Sequence, residues 1–203
     1  DSKGDLRLRQ AICRYLHGSR GVICTPDQVI VGAGNDYLLM LLQKVLGNRI
    51  RVAVENPAYL RAARIFASGG DTVCPVELDE NGMRVDLLRQ SEARIAYVTP
   101  SRQFPTGIVM PVGRRNEILS WANAEDGRYI IEDDYDSEFR YKGMPIPSLQ
   151  ALDRRGRVIY LGTFSKSIAP AIRVSYMVLP PEMTRQYEEK LGFVSSTVSR
   201  IDQ

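Results

Sequence analysis

Two periodicities alternate along this chain, and their alternation restricts the possible fold more than any other feature. Short β-branched and apolar runs at 28–31, 51–54, 72–76, 95–98, 129–131, 158–161 and 174–179 read as seven strands. Between most of them lie stretches of helical spacing, at 37–46, 59–67, 84–91 and 114–123. Parallel strands can be joined only by a long crossover, usually a helix, so this order predicts an α/β fold. The expected architecture is a mostly parallel seven-stranded sheet with helices on both faces. Leu8, Ala11, Ile12, Tyr15 and Leu16 predict an amphipathic helix before the first strand, ending near Gly18 and Gly21. Met183, Tyr187, Leu191 and Val194 predict another after the last. The stretch 37–46 is apolar nearly all round, so it is expected to be covered on most sides, with a subunit interface as its second cover.

Composition removes several function classes. The 203 residues are 44% hydrophobic and 25% charged, ordinary for a globular chain. A net charge of +3, with Lys and Arg evenly spread, gives no basic face for nucleic acid or an anionic membrane, so any DNA contact is expected through a part of the protein outside this chain. Cys13, Cys24 and Cys74 make an odd number without a Cys-x-x-Cys spacing, and His17 is the single histidine. No metal is expected; the cysteines read as reduced thiols in a cytoplasmic protein. No apolar run approaches the ~20 residues of a membrane span. The start, Asp1-Ser2-Lys3-Gly4-Asp5, lacks a methionine and resembles no signal peptide, which reads as a piece of something longer.

In open α/β sheets ligands sit beyond the carboxyl ends of the strands, and three such ends carry chemistry here. After 28–31 comes Gly32-Ala33-Gly34-Asn35-Asp36 and then a helix. Small residues and free helix-start amides suit a phosphate, although a plain strand-to-helix turn capped by Asn35 reads equally well. After 129–131 comes Glu132-Asp133-Asp134-Tyr135-Asp136. Alternation puts Tyr129, Ile131 and Asp133 on one face and Ile130, Glu132 and Asp134 on the other. A buried aspartate there would hold a proton on a ring nitrogen; a cation site or an acidic loop are the alternatives. After 158–161 comes Gly162-Thr163-Phe164-Ser165-Lys166-Ser167, with Arg173 beyond. A desolvated lysine there forms a Schiff base with an aldehyde, with Thr163, Ser165 and Arg173 holding a phosphate; a solvated lysine in a serine-rich turn is the plainer reading.

Glu55-Asn56-Pro57-Ala58-Tyr59, Phe104-Pro105-Thr106-Gly107, Glu132-Asp133-Asp134-Tyr135-Asp136-Ser137-Glu138-Phe139 and Ser165-Lys166 with Arg173 resemble the fold type I aminotransferases, which use pyridoxal 5'-phosphate. More narrowly, Arg20-Gly21-Val22, Gln103-Phe104-Pro105-Thr106-Gly107 and the Asp-Asp-Tyr-Asp-Ser-Glu-Phe run resemble the aminotransferase-like domain of MocR/GabR-type regulators in the GntR group of transcription factors. The resemblance implies that Lys166 forms the internal aldimine, Asp133 pairs with the pyridine nitrogen, Tyr135 meets the ring hydroxyl and Tyr59 stacks on the ring. It implies a phosphate cup from Gly34, Asn35, Asp36, Thr163, Ser165 and Arg173. It further implies that residues 1–203 are one large cofactor-binding domain, with a winged helix-turn-helix and a small carboxyl-terminal domain outside this chain, in a homodimer. The expected function is sensing of an amine or amino acid; the alternative is a 2-aminoadipate-like aminotransferase. The chain departs from the enzymes where they read Asn-Pro-Thr-Gly: Phe104 replaces the asparagine that touches the ring hydroxyl, leaving Arg102 and Gln103 as candidates for that contact. Without the small domain, this piece is not expected to transaminate.

Overall fold

A computed structural model describes residues 2–135, 146–164 and 173–199. The strands are β1 (Val29–Gly32), β2 (Arg51–Asn56), β3 (Thr72–Asp79), β4 (Gly82–Met83), β5 (Ile95–Val98), β6 (Tyr129–Asp133), β7 (Val158–Thr163) and β8 (Ser175–Val178). The helices are α1 (Leu6–Arg20), α2 (Asn35–Leu46), α3 (Leu60–Ser68), α4 (Val85–Gln90), α5 (Val112–Asn123), α6 (Leu149–Leu152) and α7 (Pro181–Leu191). All seven expected strands are present, and the two-residue β4 joins the edge of the sheet. The strand order is β1-β8-β7-β6-β5-β2-β3-β4. Neighbours from β7 across to β3 pair in parallel, whereas β8 runs antiparallel to both β7 and β1, and β4 antiparallel to β3.

Strand alternation divides the core between two helical layers. Ile30, Val52, Val54, Ile95, Ile131, Ile159 and Leu161 project towards α2, α3 and α7. Ala53, Ala96, Val98, Ile130 and Val158 meet α4, α5 and α6, while Val29, Val31, Tyr160 and Tyr176 meet α1. With both faces covered, the central strands are apolar at successive positions, which explains their continuous rather than alternating sequence pattern.

Helix α2 is buried along most of its length, as its sequence requires: Leu38, Leu39, Leu41, Leu42 and Val45 are all in the core, with Met40 the exposed side chain among them. Its buried polar residue, Gln43, donates to Asp71 at 2.7 Å and to the Phe66 carbonyl at 3.1 Å, so burial leaves its amide donor satisfied. Helix α1 runs through Gly18 and stops at Gly21, whose φ of 69° turns the chain left-handed while its amide bonds the Leu16 carbonyl. Among the described residues no helix is long and apolar enough to cross a membrane.

Candidate functional site

The carboxyl ends of β1, β2, β5, β6 and β7 surround a cavity of about 430 Å³, into which β8 also contributes Ser175. Its floor is the end of β6. Asp133 is buried at 7% exposure; the Tyr97 hydroxyl, at the end of β5, donates to its Oδ2, and Asn35 Nδ2 donates to its Oδ1 at 3.2 Å. Both partners follow from topology, since β5 lies beside β6 and α2 opens directly above the strand ends. Burial, and then the Asp133 charge, push the Tyr97 hydroxyl well above its ordinary pKa, so it remains a donor at neutral pH.

One wall is the start of α2 with the ends of β7 and β8. Gly34, not Asn35, occupies the cap position of α2, with φ 98°; a side chain is strained there, and an added Cβ would lie 3.1 Å from the Arg173 guanidinium. The glycine therefore leaves room for Arg173 to approach the helix start. Thr163 and Ser175 pair across the β7–β8 ladder with their hydroxyls 3.1 Å apart. A helix start, two hydroxyls and a guanidinium together form a donor set for a dianion.

The opposite wall is aromatic. Tyr59, immediately before α3, and Phe104 meet edge to face with ring centroids 5.9 Å apart. Arg61 lies beside Tyr59, its guanidinium carbon 6.0 Å from the ring centroid, and bonds Asp36 across the mouth at 2.9 Å. Tyr135 lines the cavity and donates its hydroxyl to the Arg102 carbonyl at 2.9 Å. Gln103 does not face the cavity: its amide nitrogen donates to the carbonyls of Pro57 and Phe104, and its oxygen accepts from Thr106. Of the two candidates for the ring-hydroxyl contact, Gln103 is thus already engaged elsewhere.

The structure brings together Gly34, Asn35, Asp36, Tyr59, Asp133, Tyr135, Thr163 and Arg173 around one cavity. Ser165 and Lys166, and the run from Asp136 to Phe139, lie outside the described residues. Sequence reasoning missed Tyr97, Thr99, Arg61 and Ser175. Tyr97 had a usable signal, the end of an apolar strand with a polar tip; the others did not, because their relevance depends on which strands become neighbours.

On the reverse of the same strand end the carboxylates are enclosed. Asp134 accepts from Arg20 Nε at 2.7 Å and from the Tyr160 hydroxyl; Glu132 accepts from the amides of Leu149 and Gln150 at 2.8 and 3.0 Å, with Arg115 3.8 Å away. Burial, followed by the Asp134 charge, raises the Glu132 carboxyl above the usual range. Among the described residues no group of three His, Cys, Asp or Glu side chains is placed to hold a metal.

The sequence model of Aminotransferase class I and II matches residues 1–200. The HTH-type transcriptional regulator YdeL of Bacillus subtilis is 46% identical over 196 residues, covering 97% of this chain and 42% of that protein. The HTH-type pyridoxine biosynthesis transcriptional regulator PdxR of Corynebacterium glutamicum is 38% identical over 201 residues, covering 99% of this chain and 44% of that one. Among solved structures, a Pyrococcus horikoshii kynurenine aminotransferase in complex with PMP superposes with a TM-score of 0.86 at 33% identity, over 97% of this chain and 51% of the enzyme. The chain thus spans about half or less of the length of the proteins it matches. With a family match over nearly every residue, the chain belongs to the class I and II aminotransferase family.

Proposed function

We infer that this chain is the cofactor-binding, aminotransferase-like part of a MocR-type transcription regulator, which senses an amine or amino acid. The cofactor is pyridoxal 5'-phosphate. The residues present fit it on three counts: the α2 start, Thr163, Ser175 and Arg173 suit a phosphate dianion; Asp133 suits a protonated ring nitrogen; and Asn35 Oδ1 is buried at the cavity without a hydrogen-bond partner among the described residues. When bound, the group supplies an aldehyde carbon that takes an amine and a ring that accepts electron density.

The protein's own groups divide the remaining work. Asp133 keeps the ring-nitrogen proton in place, and Tyr97 and Asn35 hold Asp133 in position for it. Tyr59 would cover a ring face, and Phe104, packed edge to face against it, restrains Tyr59. Gly34, Asn35 and Asp36, with Thr163, Ser165 and Arg173, take the phosphate. Lys166 would carry the amine that competes with the ligand, and Tyr135, which lines the cavity, would meet the ring hydroxyl.

The observation that carries the regulator reading over the enzyme reading is identity: 46% and 38% to two helix-turn-helix regulators against 33% to the kynurenine aminotransferase. In this reading DNA is held by a winged helix-turn-helix outside this chain, a small carboxyl-terminal domain completes the site, and the whole acts as a cytoplasmic homodimer. The test uses full-length protein loaded with pyridoxal phosphate. The expected result is operator binding that changes with one member of a panel of amines, with no turnover of amino acid to oxoacid. Multiple turnover without operator binding contradicts this reading and supports the enzyme.

A further inference from the structure

Two loops carry the aromatic wall of the cavity: 57–59 after β2, ending in Tyr59, and 99–108 after β5, bearing Phe104. Gln103, 2% exposed, lies where they meet. Its Nε2 donates to the Pro57 carbonyl at 2.8 Å in one loop, to the Phe104 carbonyl at 2.7 Å in the other, and lies 3.3 Å from Glu55 Oε2. Its Oε1 accepts from Thr106 Oγ1 at 2.6 Å and from the Thr106 amide at 3.0 Å. Its backbone closes the second loop, the amide onto the Ile108 carbonyl and the carbonyl from the Gly107 amide, both at 2.7 Å. Glu55, 3% exposed, ties the same point to β5 by accepting from Thr99 Oγ1 at 2.7 Å. Burial pushes the Glu55 carboxyl up to about 7, opposed by its bonds to Thr99 and Gln103, and Oε1 has no partner among the described residues.

An amide is suited to this place because it gives and accepts hydrogen bonds at once without adding charge beside Glu55. We propose that Gln103 is a positioning residue: it clamps the loops after β2 and β5 together and so sets where Tyr59 and Phe104 stand over the cofactor ring. The proposal rests on the cofactor reading above. It accounts for a glutamine that faces away from the cavity yet is built into both loops bordering it. It also explains the edge-to-face Tyr59–Phe104 pair, since the clamp fixes the backbone on which each ring is carried.

The test is a double-mutant cycle on full-length protein, reading pyridoxal phosphate affinity and the visible circular dichroism of the bound cofactor. Gln103→Ala is expected to weaken affinity roughly fivefold to tenfold and to reduce the dichroism by more than half. In a Tyr59→Ala background the same change is expected to add almost nothing, because the residue it positions is already gone. Thr106→Val, which removes the hydroxyl's bond to the Gln103 oxygen but keeps the backbone amide's bond to it and Gln103's own donors, is expected to shift the dichroism in the same direction by a smaller amount, and supplies the reading if Gln103→Ala does not fold. Equal losses of affinity in both backgrounds, or unchanged dichroism in Gln103→Ala or Thr106→Val, overturn the proposal while leaving the cofactor reading intact. Failure of the unaltered protein to take up pyridoxal phosphate overturns both.

Discussion

The two faces of the β6 end differ in what surrounds their carboxylates. On the α1 side, Asp134 and Glu132 are enclosed by Arg20, Arg115, the Tyr160 hydroxyl and two backbone amides. On the α2 side, Asp133 accepts from the neutral Tyr97 hydroxyl and Asn35 amide and borders about 430 Å³ of space, where Asn35 Oδ1 has no hydrogen-bond partner among the described residues. Each strand position thus divides its labour by parity: the even residues fasten the strand end to α1 and α6, and the odd residue is presented to the cavity. A buried carboxylate met by guanidinium groups and amides ties elements of the fold together, whereas one that borders open space is available to a ligand. The comparison therefore predicts that cutting the enclosed face harms folding, whereas cutting the open face harms binding.

The largest effect is expected on the enclosed face. Asp134→Ala leaves Arg20, 9% exposed along its side chain, buried without its carboxylate, and removal of one partner from such a pair costs about 3–5 kcal/mol. Urea unfolding should show that loss, and the pyridoxal phosphate that the folded fraction binds should keep its spectrum. Retained stability would mean that the two faces are not mechanically distinct.

A smaller effect of opposite sign is expected from Glu55. The folded chain raises this carboxyl from 4.5 to about 7, so between those values the folded state keeps a proton that the unfolded chain releases. Stability therefore falls as pH rises through that window, and the penalty is fully present above it, about 3 kcal/mol at most. Glu55→Gln removes the ionisation, so the variant's stability should lose this decline and exceed that of the unaltered protein above pH 7. A decline of unchanged slope in the variant would place its origin elsewhere.

The smallest effect on folding is expected from Asp133→Asn, which preserves shape and an acceptor for Tyr97. Its consequence is on binding: loss of a charge-assisted bond to the ring nitrogen, roughly 1.5–3 kcal/mol, corresponds to a tenfold to hundredfold weaker cofactor affinity. Calorimetry on this variant beside Asp134→Asn sharpens the comparison directly, since only the odd position should change affinity.

Much of this arrangement was legible in the sequence because it depends on local periodicity. Parity within 129–134 suffices to separate Asp133 from Glu132 and Asp134, and glycine spacing marks the start of α2. The antiparallel direction of β8 had a weaker signal, in that residues 164–174 fall short of the usual parallel crossover. Strand order has no such local signature. Tyr97 reaches Asp133 because β5 is beside β6, and Gln103 reaches Pro57 because β5 is also beside β2, with β3 and β4 displaced outward. Arg20 meets Asp134 across 114 positions of sequence. Those pairings emerge only when the sheet is assembled, which is why the loops and the enclosed network were not found beforehand.

The central claim is that the cavity beside Asp133 holds pyridoxal phosphate within reach of Lys166. Full-length protein equilibrated with the cofactor, reduced with borohydride and digested for peptide mass mapping tests it most directly. The account predicts one phosphopyridoxyl label, on Lys166, lost in Lys166→Ala and diminished in Asp133→Asn but not in Asp134→Asn. A label on another lysine, or one that Asp134→Asn diminishes more than Asp133→Asn, would contradict it.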